Sequence, residues 1–268
     1  MAVAIAELEN VIVRFRGEKV LGPLNLKIEH NDFFGIVGPN GAGKSTFLKI
    51  LAGLHRVSEG NVIVFGQSFA DGSRDSIKSV RKNIGMLLQH HLFYPDLPFT
   101  VEDVIFFGRA GLPGLGHGYS PFDIETVNNI ISELNLEHLR HRLYRELSGG
   151  ECRKVQFARL LAQQSELLLL DEPTAGLDLD WQEKLTQLVA DLYNRFEKTI
   201  IMVTHDVDRL PECCNRVLLL RNGNVLAKGA PSEVFKADVL SNLYGCTIEV
   251  AERKGRFHAY SLGLREPR

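Results

Sequence analysis

The run Gly38-Pro39-Asn40-Gly41-Ala42-Gly43-Lys44-Ser45-Thr46 carries the spacing G-x-x-x-x-G-K-[ST], with Gly38, Gly43, Lys44 and Ser45 at the fixed positions. That pattern suits phosphate. Glycines let the backbone curl until successive N–H groups point at one anion, and a helix N-terminus behind the loop adds about half a positive charge. Lys44 would reach the β- and γ-phosphates of a nucleotide, and the Ser45 hydroxyl would hold Mg²⁺. A second set lies far along the chain: Leu167-Leu168-Leu169-Leu170-Asp171-Glu172 ends an apolar run with two carboxylates. Open α/β sheets place their ligands at such strand ends. Asp171 would orient the Mg²⁺ shell and Glu172 would take a proton from an attacking water. Asp171 as a plain turn cap is the bland alternative, and the phosphate loop in the same chain weakens it.

Other elements must bring these groups together. Phe33, Phe34, Ile36 and Val37 suit a buried strand before the loop, and Ser45 to Leu54 reads as an amphipathic helix after it. Val3 to Ile28 forms short β-rich runs broken at Arg16-Gly17 and Gly22-Pro23, as antiparallel strands would. Val62 to Phe65 and Ile84 to Leu88 are further strands, while Leu167 to Leu170, Ile200 to Val203 and Val217 to Leu220 read as fully buried ones. Between two of these, Gln182 to Phe196 has helical spacing, so strand, helix, strand implies parallel pairing through a crossover. From Thr100 to Glu146 the β-pattern disappears. Val127, Ile130, Ile131 and Leu134 mark a helix there, after the Gly/Pro-rich loop Gly111 to Pro121. The expected fold is α/β: a phosphate-loop NTPase core with a mostly parallel sheet, an N-terminal antiparallel β-subdomain and an inserted α-helical subdomain.

Composition excludes several classes. At 268 residues and 44% hydrophobic content, the chain fits one large α/β domain or two intimate lobes. A formal charge of -2 gives no global field for nucleic acid or an anionic membrane. The best local patch, Arg140, His141, Arg142 and Arg145, is interleaved with Leu139 and Leu143 and reads as the solvated face of a helix, so no nucleic-acid partner is expected. The N-terminus lacks a basic leader with a long apolar core, and no apolar run approaches the ~18 residues of a membrane span. These features predict a chain soluble by itself. Cys152, Cys213, Cys214 and Cys246 lack C-x-x-C spacing, which argues against a disulfide framework or a zinc site and for a reducing cytosol. His90 and His91 have no third ligand nearby and read as surface or interface residues.

Taken in order, GPNGAGKST, Gln89 after the strand Ile84 to Leu88, LSGGE (Leu147 to Glu151), LLLLDE, AGLD (Ala175 to Asp178) and VTHD (Val203 to Asp206) resemble the nucleotide-binding subunit of an ATP-binding cassette (ABC) transporter over nearly the whole chain. The resemblance implies ATP and Mg²⁺ as cofactors, with Gly38 to Thr46 around the phosphates. It puts Phe15 on the adenine, where relatives often carry Tyr. It assigns Gln89 to sensing Mg²⁺ and water and to linking core with helical subdomain, and His205 to the γ-phosphate. Ser148, Gly149 and Gly150 precede a predicted helix, Glu151 to Gln163, and would complete the site of an opposing subunit, so that two chains pack head to tail around two ATP molecules. The alternatives are a core-facing Phe15, a structural His205 and a simple helix cap at Ser148.

The resemblance further implies an ATPase domain over residues 1–245, with core 1–90 and 165–245 and helical subdomain about 91–164, then a C-terminal extension, 246–268. As partners it implies a second copy of the chain, transmembrane permease subunits and an extracytoplasmic substrate-binding protein, with this chain peripheral on the cytoplasmic face of the membrane. Phe99 to Arg109, the helical insert and Leu240 to Val250 are similar to importers of iron-siderophore, haem, cobalamin or other metal chelates, although Ala110 to Pro121 departs from their form. The expected function is ATP hydrolysis powering transport by dimer closure. An exporter subunit would share every nucleotide motif. A soluble ABC ATPase acting on DNA or ribosomes would bring a second cassette, a coiled-coil insert or a basic surface, and a non-catalytic module would not need Glu172, Gln89 and His205. Cys152 stands where relatives carry a polar or basic residue. At a helix N-terminus its thiol pKa can be lowered, which would make it a point of oxidative sensitivity. The extension reads as a β-element on the core or a regulatory surface.

Overall fold

Alternating apolar and polar side chains at the N-terminus fold into one antiparallel hairpin, β1 (Ala4–Phe15) and β2 (Glu18–Glu29), which turns at Arg16-Gly17. The structure is a computed structural model describing residues 4–69, 74–88, 98–110 and 118–264. Gln89, His90, His91 and residues 111–117 of the expected loop lie outside the described residues. The chain continues through β3 (Phe33–Val37), β4 (Glu59–Val64), β5 (Gln67–Ser68) and β6 (Ile84–Leu87), with helices α1 (Lys44–Leu51) and α2 (Arg74–Arg81) between them. Helices α3 (Val101–Phe106), α4 (Pro121–Glu133) and α5 (Gly149–Ala162) follow. Strands return with β7 (Leu167–Asp171), β8 (Thr199–Thr204), β9 (Arg216–Arg221) and β10 (Asn224–Gly229), and α6 (Leu179–Phe196) joins β7 to β8. The chain ends in α7 (Pro231–Val234), α8 (Ala237–Tyr244) and a hairpin of β11 (Cys246–Arg253) with β12 (Arg256–Leu264).

Among the described residues the strands form three sheets. One is antiparallel, in the order β2-β1-β4-β5, and the central one runs β10-β9-β3-β8-β7-β6. Pairings of β3 with β8 and β9, of β7 with β8 and of β6 with β7 are parallel, and only β10 runs antiparallel. The apolar runs of the central strands are needed because both faces are covered. Phe33, Leu168, Leu170, Ile200, Met202, Val217 and Leu219 enter the core beneath the helices. Their neighbours Phe34, Leu167, Leu169, Ile201, Val203, Leu218 and Leu220 enter the core shared with α1 and the antiparallel sheet. This is the expected α/β architecture.

Two local expectations fail for identifiable reasons. Gly22-Pro23 does not break the strand: β2 is an edge strand, where a residue without an N–H is tolerated, and Gly22 adopts φ +101° near a register shift. Arg140 to Arg145 is not a helix face but two short 3₁₀ turns, Glu137–Leu139 and Tyr144–Glu146. The carbonyls of Arg140 and Arg142 accept from Glu102 and Val101 at the start of α3, so this stretch bonds a neighbouring helix rather than itself. Arg140 pairs with Glu102 and Asn128 instead of facing solvent alone.

The helices α3, α4 and α5 each start on a side chain that the sequence supplies. Thr100 with Asp103, Ser120 with Asp123 and Ser148 with Glu151 all form capping boxes, each satisfying orphan N–H groups reciprocally. Buried Arg109 at the end of α3 locks the three together, donating to Asp123 Oδ1 at 2.7 Å and to the Ala162 carbonyl at 2.9 Å. Ser120 and then Arg109 hold the Asp123 carboxyl down at about 2.

Candidate nucleotide site

The parallel strands β3, β8, β7 and β6 end on one edge, so whatever follows each strand meets there. After β3 comes the phosphate loop. Gly43 takes φ +98° as it enters α1, and a Cβ there would lie 3.0 Å from the Val20 carbonyl oxygen. Glycine is therefore required twice over, by conformation and by space. No side chain caps α1, which leaves its first N–H groups to an anion. Lys44 is buried and donates to the carbonyls of Gly38 at 2.7 Å and Pro39 at 3.2 Å. Burial lowers its pKa, opposed by Glu172, whose Oε1 lies 3.6 Å from Nζ.

Asp171 ends β7, and Ser45 Oγ donates to its Oδ1 at 3.1 Å. Burial raises the Asp171 pKa and the Ser45 bond opposes that shift. A hydroxyl beside a carboxylate is an all-oxygen donor set, which suits a hard ion such as Mg²⁺. Among the described residues no group of three or more His, Cys, Asp or Glu forms a cage. Mg²⁺ keeps waters and takes phosphate oxygens alongside one or two protein ligands.

Glu172 turns out of the strand with φ +48°, a conformation uncommon for a side-chain-bearing residue, and its N–H donates to the Val203 carbonyl. The turn aims its carboxylate between two basic groups: Oε1 faces Lys44, and Oε2 lies 2.5 Å from His205 Nδ1. His205 follows β8, half of its ring is exposed, and with Nδ1 on Glu172 the other nitrogen is the one left for a ligand. Lys44 and Ser45, Asp171 and Glu172, and His205 thus come from three distant stretches into one cluster.

The remaining expected residues stand apart from that cluster. Phe15 is 58% exposed, its ring 6.3 Å from that of His55, so it is not a core phenylalanine. Ser148 caps α5, which begins at Gly149, two residues before the expected start. Its N–H and hydroxyl are not free: both donate to Glu151 Oε2, at 2.8 and 2.7 Å. A Cβ on Gly149 would meet open space, and one on Gly150 only Leu177. The lowered thiol pKa expected of Cys152 is reversed: burial raises it and the Glu151 charge adds to the shift, while Sγ faces the carbonyls of Tyr144 and Leu147.

Two residues that the sequence reading passed over hold the site. Arg153, buried on α5, donates from Nε to the Pro173 carbonyl at 2.9 Å, from Nη1 to Leu88 at 2.6 Å, and from Nη2 to Asp171 at 2.9 Å and Glu172 at 2.5 Å. Its burial lowers its pKa to about 10. A basic residue one helical turn before Phe157, on the apolar face of α5, was the available signal. Tyr244 donates its hydroxyl to the His205 carbonyl at 2.7 Å, for which the sequence held no signal.

Comparison with known proteins agrees with this geometry. Residues 21–175 match the family model described as ABC transporter. The chain is 36% identical over 229 residues to the petrobactin import ATP-binding protein FpuC of Bacillus anthracis, covering 85% of this chain and 82% of that protein. Its fold is similar to that of a metal-chelate type ABC transporter solved in an inward-facing conformation, with a TM-score of 0.80 and 26% identity over 98% of this chain and 99% of that one. It is also similar to the dimeric ATP-binding cassette MJ0796 in a post-hydrolysis state with ADP and Pi, with a TM-score of 0.74 and 29% identity over 84% and 98% of the two chains.

Proposed function

Because the chain belongs to the ABC transporter family and is one of its ATP-binding, ATP-hydrolysing subunits, we propose that two copies close head to tail on two ATP molecules and thereby drive import of a metal chelate. The observation that carries the residue roles is the shared carboxylate of Glu172, held between Lys44 and His205 beside the Ser45–Asp171 pair. On ATP binding Lys44 exchanges its contacts with the Gly38 and Pro39 carbonyls for phosphate oxygens, alongside backbone N–H groups of the loop, to which Pro39 contributes none. Glu172 then accepts a proton from the attacking water, and the outward nitrogen of His205 contacts the γ-phosphate. Ser45 and Asp171, with Gln89, would hold Mg²⁺, which when bound neutralises phosphate charge as the bond to the leaving group breaks. Exposed Phe15 is available to stack on adenine. Ser148, Gly149 and Gly150 serve the partner copy's nucleotide, for which Ser148 must release Glu151.

We also propose the division of the chain into an ATPase domain, 1–245, with core 1–90 and 165–245 around a helical subdomain of about 91–164, and an extension, 246–268. The position of α3 to α5 between β6 and β7 supports it. Membership of a transporter family and the similarity to import ATP-binding proteins support a separate permease partner and a peripheral place on the cytoplasmic membrane face; among the described residues no helix is long and apolar enough to cross a membrane. A metal-chelate cargo, delivered by an extracytoplasmic binding protein, is supported by the similarity to the petrobactin protein and by the near-complete overlap with the metal-chelate type transporter.

Turnover and assembly test this reading together. Glu172→Gln is expected to lower ATP hydrolysis by about 10²–10⁴-fold while keeping ATP binding. By light scattering it should be a monomer that becomes a dimer with Mg-ATP. Retention of most of the turnover would remove Glu172 as the base, and a nucleotide-independent monomer in the presence of the permease would refute the shared site.

A further inference from the structure

His205 is the first residue beyond the parallel ladder of β8, so its backbone is held by what packs against it from outside the sheet. Thr204 Oγ1 accepts from the Asp206 N–H at 3.0 Å, and Asp206 in turn caps the 3₁₀ turn Val207–Arg209 through the Asp208 N–H. The other contacts come from the C-terminal end of the chain. α8 ends on Tyr244, whose hydroxyl reaches the His205 carbonyl. Gly245 then reverses the chain with φ +75° and launches the β11–β12 hairpin.

That hairpin grips the segment just after His205. The Asp208 carboxylate accepts from the Ala259 N–H at 2.9 Å and lies 3.0 Å from His258 Nδ1. Arg256 donates to the Asp208 carbonyl at 2.8 Å and to Glu183 on α6 at 2.7 Å. The hairpin is itself anchored: Ile248 is buried in the helical-side core, its N–H donates to Ser241 Oγ, and Phe257 packs edge-on against Phe235 with ring centroids 5.4 Å apart. A loose appendage would not need a buried isoleucine and a backbone bond to the Asp208 carboxylate. Tyr244 is half-buried, so its hydroxyl bond to His205 orders a group already removed from most of the solvent.

We propose that the C-terminal extension positions His205 for turnover, with Tyr244 as the direct positioning residue and the β11–β12 hairpin bracing the same segment through Asp208. The inference rests on the reading of His205 as the γ-phosphate contact. His205 must keep one nitrogen on Glu172 and present the other to phosphate, and that needs a fixed backbone at a strand end with no ladder of its own. Tyr244 supplies it from one side and Asp208 from the other.

The test is ATP hydrolysis by the full-length chain carrying Tyr244→Phe, which deletes one hydroxyl and keeps the ring. Loss of one hydrogen bond to a positioned backbone is expected to lower kcat about 3- to 10-fold and leave KM for ATP within about twofold. Asp208→Asn, in the brace, should lower kcat in the same direction. A double-mutant cycle decides whether the effect runs through His205: in single-turnover assays Tyr244→Phe should lose its effect in a His205→Ala background. Equal losses in both backgrounds, or a lower melting temperature with unchanged kcat, would mean a purely structural role and overturn the proposal. An unchanged kcat for Tyr244→Phe alongside a crippled His205→Ala would overturn the positioning alone. Wild-type turnover by His205→Ala would instead remove the reading on which it rests.

Discussion

Arg153→Met tests what holds the catalytic turn. The replacement keeps the length of the side chain and removes every donor, leaving the carbonyls of Leu88, Asp171, Glu172 and Pro173 without this partner. A hydrogen bond from a charged group contributes about 1.5–3 kcal/mol, so four represent roughly 6–12 kcal/mol in gross terms. Arg153 is 7% exposed, and removing its charge also recovers the several kcal/mol spent on burying an ion. The net expected loss is about 3–5 kcal/mol, the usual result of breaking a buried charged network. At roughly 2–4 °C per kcal/mol for a chain of this size, the melting temperature should fall by about 6–20 °C. Turnover should fall further than stability alone explains. Glu172 sits at φ +48° with its carbonyl held by Arg153, and a left-handed residue costs about 1–2 kcal/mol to maintain. Releasing it should lower kcat by about 5- to 30-fold, measured well below the melting transition. Arg153→Lys, with one ammonium for four acceptors, should fall between wild type and Met. Urea unfolding and steady-state ATPase assays read both effects. A melting temperature within about 2 °C of wild type, with kcat within about twofold, would refute the clamp.

Further outcomes follow from the ionisable groups. Burial raises the Cys152 thiol pKa, so alkylation by iodoacetamide at pH 7 should be slower than for a free cysteine, and Cys152→Ser should leave the peroxide sensitivity of ATPase activity unchanged. Faster alkylation than the free amino acid would contradict the structure. Asp123 has its folded pKa depressed from 3.8 to about 2 by Ser120 and Arg109, so it contributes stability that is fully present above pH ~5 and is lost as pH falls toward 2. Asp123→Asn should therefore be less stable than wild type near neutral pH, with the difference shrinking through pH 4 to 2. A difference that stays constant across that window would show that the carboxylate is not the stabilising form.

Much of the site was legible because it depends on local order along the chain. The phosphate loop needs glycines at fixed spacing between a strand and a helix, and Gly43 shows why: its positive φ and the nearby Val20 carbonyl admit nothing larger. The apolar runs around Leu167 to Leu170 and Ile200 to Val203 announced strands buried on both faces, and the carboxylates and histidine that follow them had to emerge at the sheet edge. The capping boxes at Thr100, Ser120 and Ser148 are likewise short-range, each spanning three residues.

What failed or was missed depends on partners distant in sequence. Gly22-Pro23 looked like a break because local propensity does not record that β2 is an edge strand. The Cys152 pKa followed its burial under neighbouring side chains rather than the end of its own helix. Arg153 and Tyr244 act on carbonyls, and a carbonyl has no side-chain identity for a sequence pattern to register. The sequence by itself singled out the candidate groups for the chemistry and the strand ends that carry the carboxylates and the histidine. Only the tertiary structure decided how they are held, because a buried arginine reaches the Asp171-Glu172 turn and a C-terminal hairpin reaches the segment after His205 through space, across separations that no periodicity encodes.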